Sequence, residues 1–394
     1  NDIALGLSNK NIDVTILTGF PNYPKGKFFQ GYKRSFFKNQ KWNNINIERS
    51  WLIPRKNSSP FNLILNYISF SIFASIRVLF MKNKFDKIFV YQPSPVTVGI
   101  PALIAKYKFK KPIYFWVQDL WPESITAATG NKNKLILFCA NLLTKFIYKG
   151  CDKILVQSKA FIPYIESQKI NKNKIIYLPN SIENDYKKIK SNKFINLIPE
   201  GNILMFAGNL GESQSFETLI KTAVILKKKN QDIKWVILGD GRMKNQIKSM
   251  IKSNGLEKNF ILLGSFDIKY MPIFFSYADA MIVSLKNEKI FSLTIPAKIQ
   301  SYMACEKPIL ASINGEGRKI IEKSKCGFVS QSEDPYKFSN NIIKFFNLSK
   351  SERLILGKNG KTFCKNEFAR DKIIHKLINI FNNERYSSSR GEGQ

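Results

Sequence analysis

Histidine is almost missing from this chain of 394 residues: there is one, His375. Any histidine-based metal cluster, Ser-His-Asp triad or Cys-His pair would have to run through that imidazole. It falls in the helical pattern of residues 371–382, which suits a structural role. Cysteine is scarce as well. Cys139, Cys151, Cys305, Cys326 and Cys364 form no C-x-x-C pair and no zinc spacing. Such an odd, scattered set reads as reduced thiols of a cytosolic protein. There is no Walker loop, no G-x-G-x-x-G fingerprint, no Asp-x-Asp pair to hold a metal between diphosphate oxygens, and no short-period repeat. No basic stretch followed by an apolar core opens the chain, so no signal peptide is visible.

Acidic residues are few, 29 against 62 lysines and arginines, for a net charge of +33. That excess suits nucleic acid, anionic lipid or anionic substrates. Lysine, asparagine and isoleucine are also frequent everywhere, so a compositional bias would give the same figure. The lysines are spread rather than clustered and no base-reading motif occurs, which speaks against nucleic acid as a partner. Hydrophobic residues make up 44% of the chain and exclude a mainly disordered one. The longest apolar run, Phe61–Met81, is interrupted by Asn62, Asn66, Ser69 and Arg77 on roughly one helical face. That spacing predicts a buried or interfacial amphipathic helix rather than a membrane span. Arg55, Lys56, Lys82 and Lys84 flank it and predict a salt-sensitive attraction to an anionic membrane surface. The expected location is cytoplasmic, peripheral on the inner face of the cell membrane.

The chain opens as the end of a helix followed by a strand at 13–20, an α/β unit without its first strand. Short apolar runs then alternate with helical stretches: 87–91, 113–117 and 153–156, and again 203–206, 234–238, 260–263, 280–284 and 308–311. Runs of this kind are buried parallel strands covered on both faces. The fold class is α/β, with two doubly wound parallel-sheet domains. Residues 1–190 are expected to form the first domain and 200–365 the second, joined by a polar, basic linker at 185–199. Residues 366–394 read as a helix crossing back to the first domain and a disordered tail, Ser387–Gln394.

Ligands of such sheets bind beyond the carboxyl ends of the strands, here expected between the domains. Gly208-Asn209-Leu210-Gly211 follows the first strand of domain two and leads into a helix near Gln214. Glycine there lets a ligand approach the backbone, and a helix N-terminus suits phosphate; a plain strand-helix turn has the same sequence. Gly239-Asp240-Gly241-Arg242 follows the next strand. Arg242 offers a bidentate phosphate partner, unless Asp240 caps the helix and Arg242 is solvated. In LTIPAKIQSYMACEKP (293–308), Thr294 is placed to cap and Lys298 falls in the first helical turn. A cation is unfavourable there and makes sense beside an anion. In WVQDLWPES (116–124), Asp119 and Glu123 follow a strand end and are candidates for acid-base work, or for a turn cap and a surface ion pair.

Together these segments resemble family 4 glycosyltransferases of the GT-B fold. The resemblance rests on GFPNYPKGK (19–27), QPSPVTVG (92–99), WVQDLWPES, LVQSKAF (155–161), YLPNSIE (177–183), FAGNLGESQSF (206–216), ILGDGR (237–242) and TIPAKIQSYMACEKPI (294–309), in order along the chain. The nearest branch is similar to bacterial O-antigen and capsule enzymes that transfer N-acetyl-L-fucosamine-type sugars. The resemblance implies a UDP-linked donor, a polyprenyl-diphosphate-linked saccharide acceptor, retention of configuration, and neither metal nor other cofactor. It places Asn209, Gly211, Gln214 and Arg242 near the donor diphosphate, Ser265 and Phe266 near the base, and Thr294 and Lys298 at the sugar and diphosphate. Lys298 and Asp119 are the catalytic candidates; Trp121 and Glu123 fall to the acceptor. The chain departs from the family where many relatives carry two glutamates, here Leu293 and Ser301. Gln214 replaces a basic residue and Glu306 a glycine. A non-catalytic nucleotide-sugar-binding relative and a basic nucleic-acid-binding protein are the competing classes.

Overall fold

The computed structural model describes residues 2–383, apart from Pro24, Lys33, Arg34, Asn57, Ser58, Asn83, Gly130, Asn131, Lys132, Asn184 and Lys190. The tail Ser387–Gln394 lies outside the described residues. The chain divides into two compact units, Asn1–Leu178 with Ile374–Gln394, and Pro179–Ile373.

The first unit holds two sheets. Strands β1 (Thr15–Gly19), β2 (Phe37–Trp42) and β3 (Ile45–Ser50) form one, in the order β1-β3-β2. β2 and β3 are an antiparallel hairpin turning at Asn43, whose φ is 52°. This pair is absent from the sequence-based reading, because FKNQKW and INIERS lack a continuous apolar run. The second sheet is parallel, in the order β4 (Ile88–Gln92), β5 (Ile113–Val117), β6 (Lys153–Val156) and β7 (Ile175–Tyr177). β5, IYFWV, is buried at every position, as a central strand covered on both faces must be. The helix Arg370–Asn382 lays Phe381 against Tyr114 at 4.8 Å and Phe89 at 5.8 Å, which ties it to this unit.

The second unit is one six-stranded parallel sheet: β8 (Asn202–Ala207), β9 (Ile233–Leu238), β10 (Phe260–Gly264), β11 (Ala280–Ser284), β12 (Ile309–Ser312) and β13 (Gly327–Ser330). Its order is β10-β9-β8-β11-β12-β13. Winding reverses between β8 and β11, the switch point where doubly wound sheets take ligands. Apolar strand residues such as Met205, Val236, Met281 and Ile309 fill one face and Leu204, Ile237, Ile282 and Leu310 the other.

The boundary lies earlier than the linker composition suggests. Residues 179–201 belong to the second unit, not to a free linker. Phe194 stacks on Phe274 at 4.6 Å, Tyr186 on Phe275 at 6.1 Å, and the Tyr277 hydroxyl donates to the Ser191 carbonyl at 2.6 Å. Lys188 pairs with Glu306 at 2.5 Å. The lysines of this strap hide aromatic anchors that decide where it packs. Glu306, in the glycine-like position, has φ of 58°, so it holds a conformation that favours glycine while pairing with Lys188 and Lys361.

Candidate active site

In the second unit the site grows from two tight turns at neighbouring strand ends. After β8 the chain bends at Gly208, φ 146°; after β9 it bends at Gly239, φ 138°. The turns are stitched together: the Gly208 N–H donates to the Leu238 carbonyl at 3.0 Å, Leu210 to Asp240 at 2.9 Å, and Met243 to Leu210 at 3.0 Å. A Cβ on Gly241 would meet the Leu210 carbonyl oxygen at 2.5 Å and Asn209 Oδ1 at 2.7 Å. These glycines serve close backbone approach. Gly208 and Asn209 remain exposed beside the switch point.

Lys298 is in the first turn of the helix Ala297–Ala304, which has no side-chain cap. Its Nζ donates to Gln214 Oε1 at 2.5 Å and lies 3.9 Å from the centroid of the Phe206 ring. It also stands 3.4 Å from where a Gly208 Cβ would be. Burial pulls this ammonium down to about 7. Lys298, Gln214 and the Gly208 turn are thus brought together, with a helix start behind the cation. The Tyr302 hydroxyl ties the same helix to the β8 end, donating to the Ala207 carbonyl and accepting from its N–H, both at 3.1 Å.

Other expected residues stand differently. Thr294 does not cap Ala297–Ala304; its hydroxyl donates to the Ile290 carbonyl at 2.7 Å and closes the helix Lys289–Leu293 instead. Pro296 takes the N-cap position because its extended ψ of 124° ends the preceding turn. Arg242 lies 3.4 Å from Glu212, whose other oxygen accepts from Lys286 at 2.7 Å. Those two cations hold the exposed Glu212 carboxyl below its usual range, the Lys286 hydrogen bond first. Asp240 Oδ1 accepts from the Gly241 N–H at 2.7 Å and Oδ2 from Lys244 at 2.8 Å. Ser265 is exposed at the end of β10, but the Phe266 ring is committed to Phe274 at 4.5 Å and Phe194 at 5.7 Å. Sequence reasoning missed Phe206, Glu212, Lys286 and Tyr302. The signal for Lys286 was available, a cation at the strand end on the far side of the switch point, where its N–H donates to the Ser213 carbonyl at 2.9 Å.

In the first unit Asp119 follows β5, and burial raises its carboxyl to about 6. Tyr91, at the end of β4, is half exposed; burial and then the Asp119 charge push its phenol up. Trp121 is buried, with Nε1 donating to Ser94 Oγ at 3.3 Å. Glu123 turns inward. The Tyr164 phenol bonds to it and is driven well above the usual range by burial and by that carboxylate, while Glu123 Oε2 is buried without a partner. Trp121 and Glu123 therefore brace the segment that carries Asp119 rather than line an open surface. His375 is an exposed helix residue.

Residues 188–363 match the profile of the family described as glycosyl transferases group 1. The chain is a glycosyltransferase. An uncharacterized glycosyltransferase of Methanocaldococcus jannaschii is 26% identical over 95% of this chain and 90% of its own length. A Campylobacter jejuni enzyme is 24% identical over 66% of this chain and 69% of its own. It is the N-acetylgalactosamine-N,N'-diacetylbacillosaminyl-diphospho-undecaprenol 4-alpha-N-acetylgalactosaminyltransferase. Among solved structures, HepE of Anabaena in complex with UDP superposes with a TM-score of 0.67, at 11% identity, over 94% of this chain and all of that one. The glycosyltransferase has the GT-B fold, with the group 1 match falling on its second unit.

The Lys298 environment makes a pH prediction for this glycosyltransferase. Its ammonium is charged below about 7 and neutral above. A nucleotide sugar keeps its diphosphate charge through that range. Binding is therefore expected to be strongest below pH 7 and to weaken by up to about tenfold per pH unit above it, because a proton must then be taken up with the anion. Calorimetry in buffers of differing ionisation enthalpy would register that proton; its absence above pH 7 would refute the assignment.

Proposed function

We propose that this enzyme moves a UDP-linked deoxyamino sugar, of the N-acetyl-L-fucosamine type, to a polyprenyl-diphosphate-linked saccharide, with retained configuration, during O-antigen or capsule assembly at the inner face of the cell membrane. The observation that carries the reading is Lys298: a half-buried cation in the first turn of an uncapped helix, beside the exposed Gly208 turn at the switch point. Such a group stabilises an anion that gains charge as the glycosidic bond breaks. A departing nucleoside diphosphate is that kind of anion. The helix starts at Phe216 and Ala297 add dipole ends of the same sign. Arg242 joins when it leaves Glu212. In the first unit Asp119, near neutral at about 6, meets the acceptor hydroxyl, while Trp121 and Glu123 fix its segment. UDP as the donor nucleotide draws support from the UDP complex of HepE, and a lipid-linked acceptor from the undecaprenol-linked substrate named in the Campylobacter enzyme.

Among the described residues no three His, Cys, Asp or Glu side chains gather to hold a metal, and none is needed on this reading. The test is a thermal-shift panel of nucleotides and nucleotide sugars, followed by turnover with chelator. UDP at about 100 times its Kd should raise stability by about 2.7 kcal/mol, while purine nucleotides do less. Turnover should survive excess EDTA. Loss of activity on chelation, restored by magnesium, would show that the protein groups named here do not neutralise the diphosphate.

A further inference from the structure

The helix Pro60–Phe80 has its polarity reversed. Its polar residues face the protein: Asn66, Ser69 and Ser71 are buried. Asn66 Nδ2 donates to the Ile53 carbonyl at 2.7 Å, the Ile53 N–H to Ser69 Oγ at 2.8 Å, and Ser71 Oγ to the Thr97 carbonyl at 3.2 Å. Arg77 pairs with Glu48. Its apolar residues face out: Phe61 is 68% exposed, Ile72 52% and Phe80 72%, with Ile64, Ile68 and Leu79 between them. By length and composition this helix qualifies as a membrane span. Its buried side is nonetheless sewn to the first unit by hydrogen bonds that a span would strip, so the helix stays and its outer face needs a cover.

A second helix of the same unit repeats the pattern. Along Lys134–Gly150, Leu135, Phe138, Leu142 and Phe146 recur every three or four residues and are all exposed. Leu143 of this helix joins Ile68, Ile72, Ile76 and Leu79 of the first in lining one apolar groove of about 390 Å³. The two outward faces are therefore continuous. A contiguous exposed apolar surface of this kind marks an interaction site.

Charge identifies the partner. Between Ser50 and Gly150 there are fourteen lysines and arginines and three acids, Asp86, Asp119 and Glu123. Neither helix contains an acidic residue. Lys82, Lys84, Lys134 and Lys149 are exposed around the apolar faces. Arg55 is not part of this rim, since its guanidinium bonds Asn66 at 3.4 Å and lies over Tyr23 and Tyr67. A second copy would set two such basic faces against each other, which like charge opposes. An anionic bilayer matches both features, apolar side chains entering the acyl boundary and lysines meeting headgroups.

We propose that Pro60–Phe80 and Lys134–Gly150 together form the face by which the first unit seats in an anionic membrane, with both helices lying in the interface. This rests on the reading of a lipid-linked acceptor and adds the surface and the second helix. Insertion by both helices also changes the salt behaviour that the flanking charges alone predict: salt present beforehand slows recruitment, while salt added afterwards releases only part of the protein.

Cys139 supplies the probe, being the exposed cysteine among four buried ones. It lies on the second helix beside Phe138. Labelled there with an environment-sensitive dye, the full chain is mixed with vesicles of roughly equal parts phosphatidylglycerol and phosphatidylcholine. The dye emission should shift to the blue. The triple variant Phe138→Ser, Leu142→Ser, Phe146→Ser should sediment with these vesicles at least tenfold less, yet keep its UDP-induced thermal shift, since that site is in the second unit. An unshifted dye with unchanged sedimentation of the variant would overturn the proposal. So would a variant that turns a dimer into a monomer and leaves vesicle binding intact. Loss of the UDP response in the unmodified chain would instead count against the glycosyl-transfer reading, which separates the two failures.

Discussion

Lys298→Ala is expected to lower kcat/KM for the nucleotide sugar by roughly 10- to 1000-fold, about 1.4–4 kcal/mol of transition-state stabilisation. On the proposed reading the ammonium meets the departing diphosphate as it gains charge, and the surroundings that depress it to about 7 also strengthen its pull on an anion. The loss should fall mainly in kcat, because charge grows as the bond breaks. Lys298→Met keeps much of the side-chain volume without the charge that lies over Phe206, and should show the same defect with a near-native melting temperature, which removes misfolding as an explanation. Lys298→Arg should rescue little. The space between the Gly208 turn, Gln214 and Phe206 admits a compact ammonium, and a planar fork would displace the turn. Steady-state kinetics with each variant tests this, and unchanged turnover in Lys298→Ala would remove Lys298 from the chemistry.

Much of this could be read from the chain because parallel strands advertise themselves. KWVIL and AMIVS are apolar at consecutive positions, and only burial on both faces accounts for that. The hairpin Phe37–Trp42 with Ile45–Ser50 gave no such signal: its alternation is filled with Lys38, Asn39, Gln40 and Lys41, and its partner is one strand rather than a core. β7 and β13 are too short, three and four residues, to stand out from turns. The strap 179–201 misled through composition. Lys187, Lys188 and Lys193 are exposed, Lys188 paired with Glu306, while Tyr186 and Phe194, only eight residues apart, decide its packing.

At the site, residue types were legible and side-chain directions were not. Lys298 announced itself as a cation at the wrong end of a helix. Thr294 has the spacing of a cap, yet it closes the previous helix, because two helices meet at Thr294-Ile295-Pro296 and a hydroxyl can serve either one. Arg242 lies beside the two glycine turns in sequence, but Glu212 reaches it first. The helix Pro60–Phe80 shows the limit most clearly. Its polar stripe was visible in the sequence, but periodicity alone does not say which stripe faces in. Here Ile53, Thr97 and Glu48 supply the partners that pull the polar side inward.

Gly239→Ala is expected to destabilise the second unit by roughly 3 kcal/mol or more and to abolish the UDP response. Two costs add. The backbone at φ 138° is one that L side chains rarely adopt, and an ideal Cβ would stand 1.9 Å from the Gly208 carbonyl oxygen. That oxygen belongs to backbone, so no rotamer change can clear it. The β8 and β9 turns must separate, breaking the bonds from Gly208 to Leu238 and from Leu210 to Asp240 and moving the Gly208 turn away from Lys298. Gly201→Ala separates the two costs. Its φ of 109° is also unfavourable, but the nearest neighbour to a Cβ is a Lys234 side-chain carbon at 3.9 Å. It should lose only the backbone part, about 1 kcal/mol, and keep its response to UDP. Urea unfolding of both variants reads the difference as separate midpoints at a common slope. Equal losses in the two would mean that the turns yield without strain and that their close approach does not position the site.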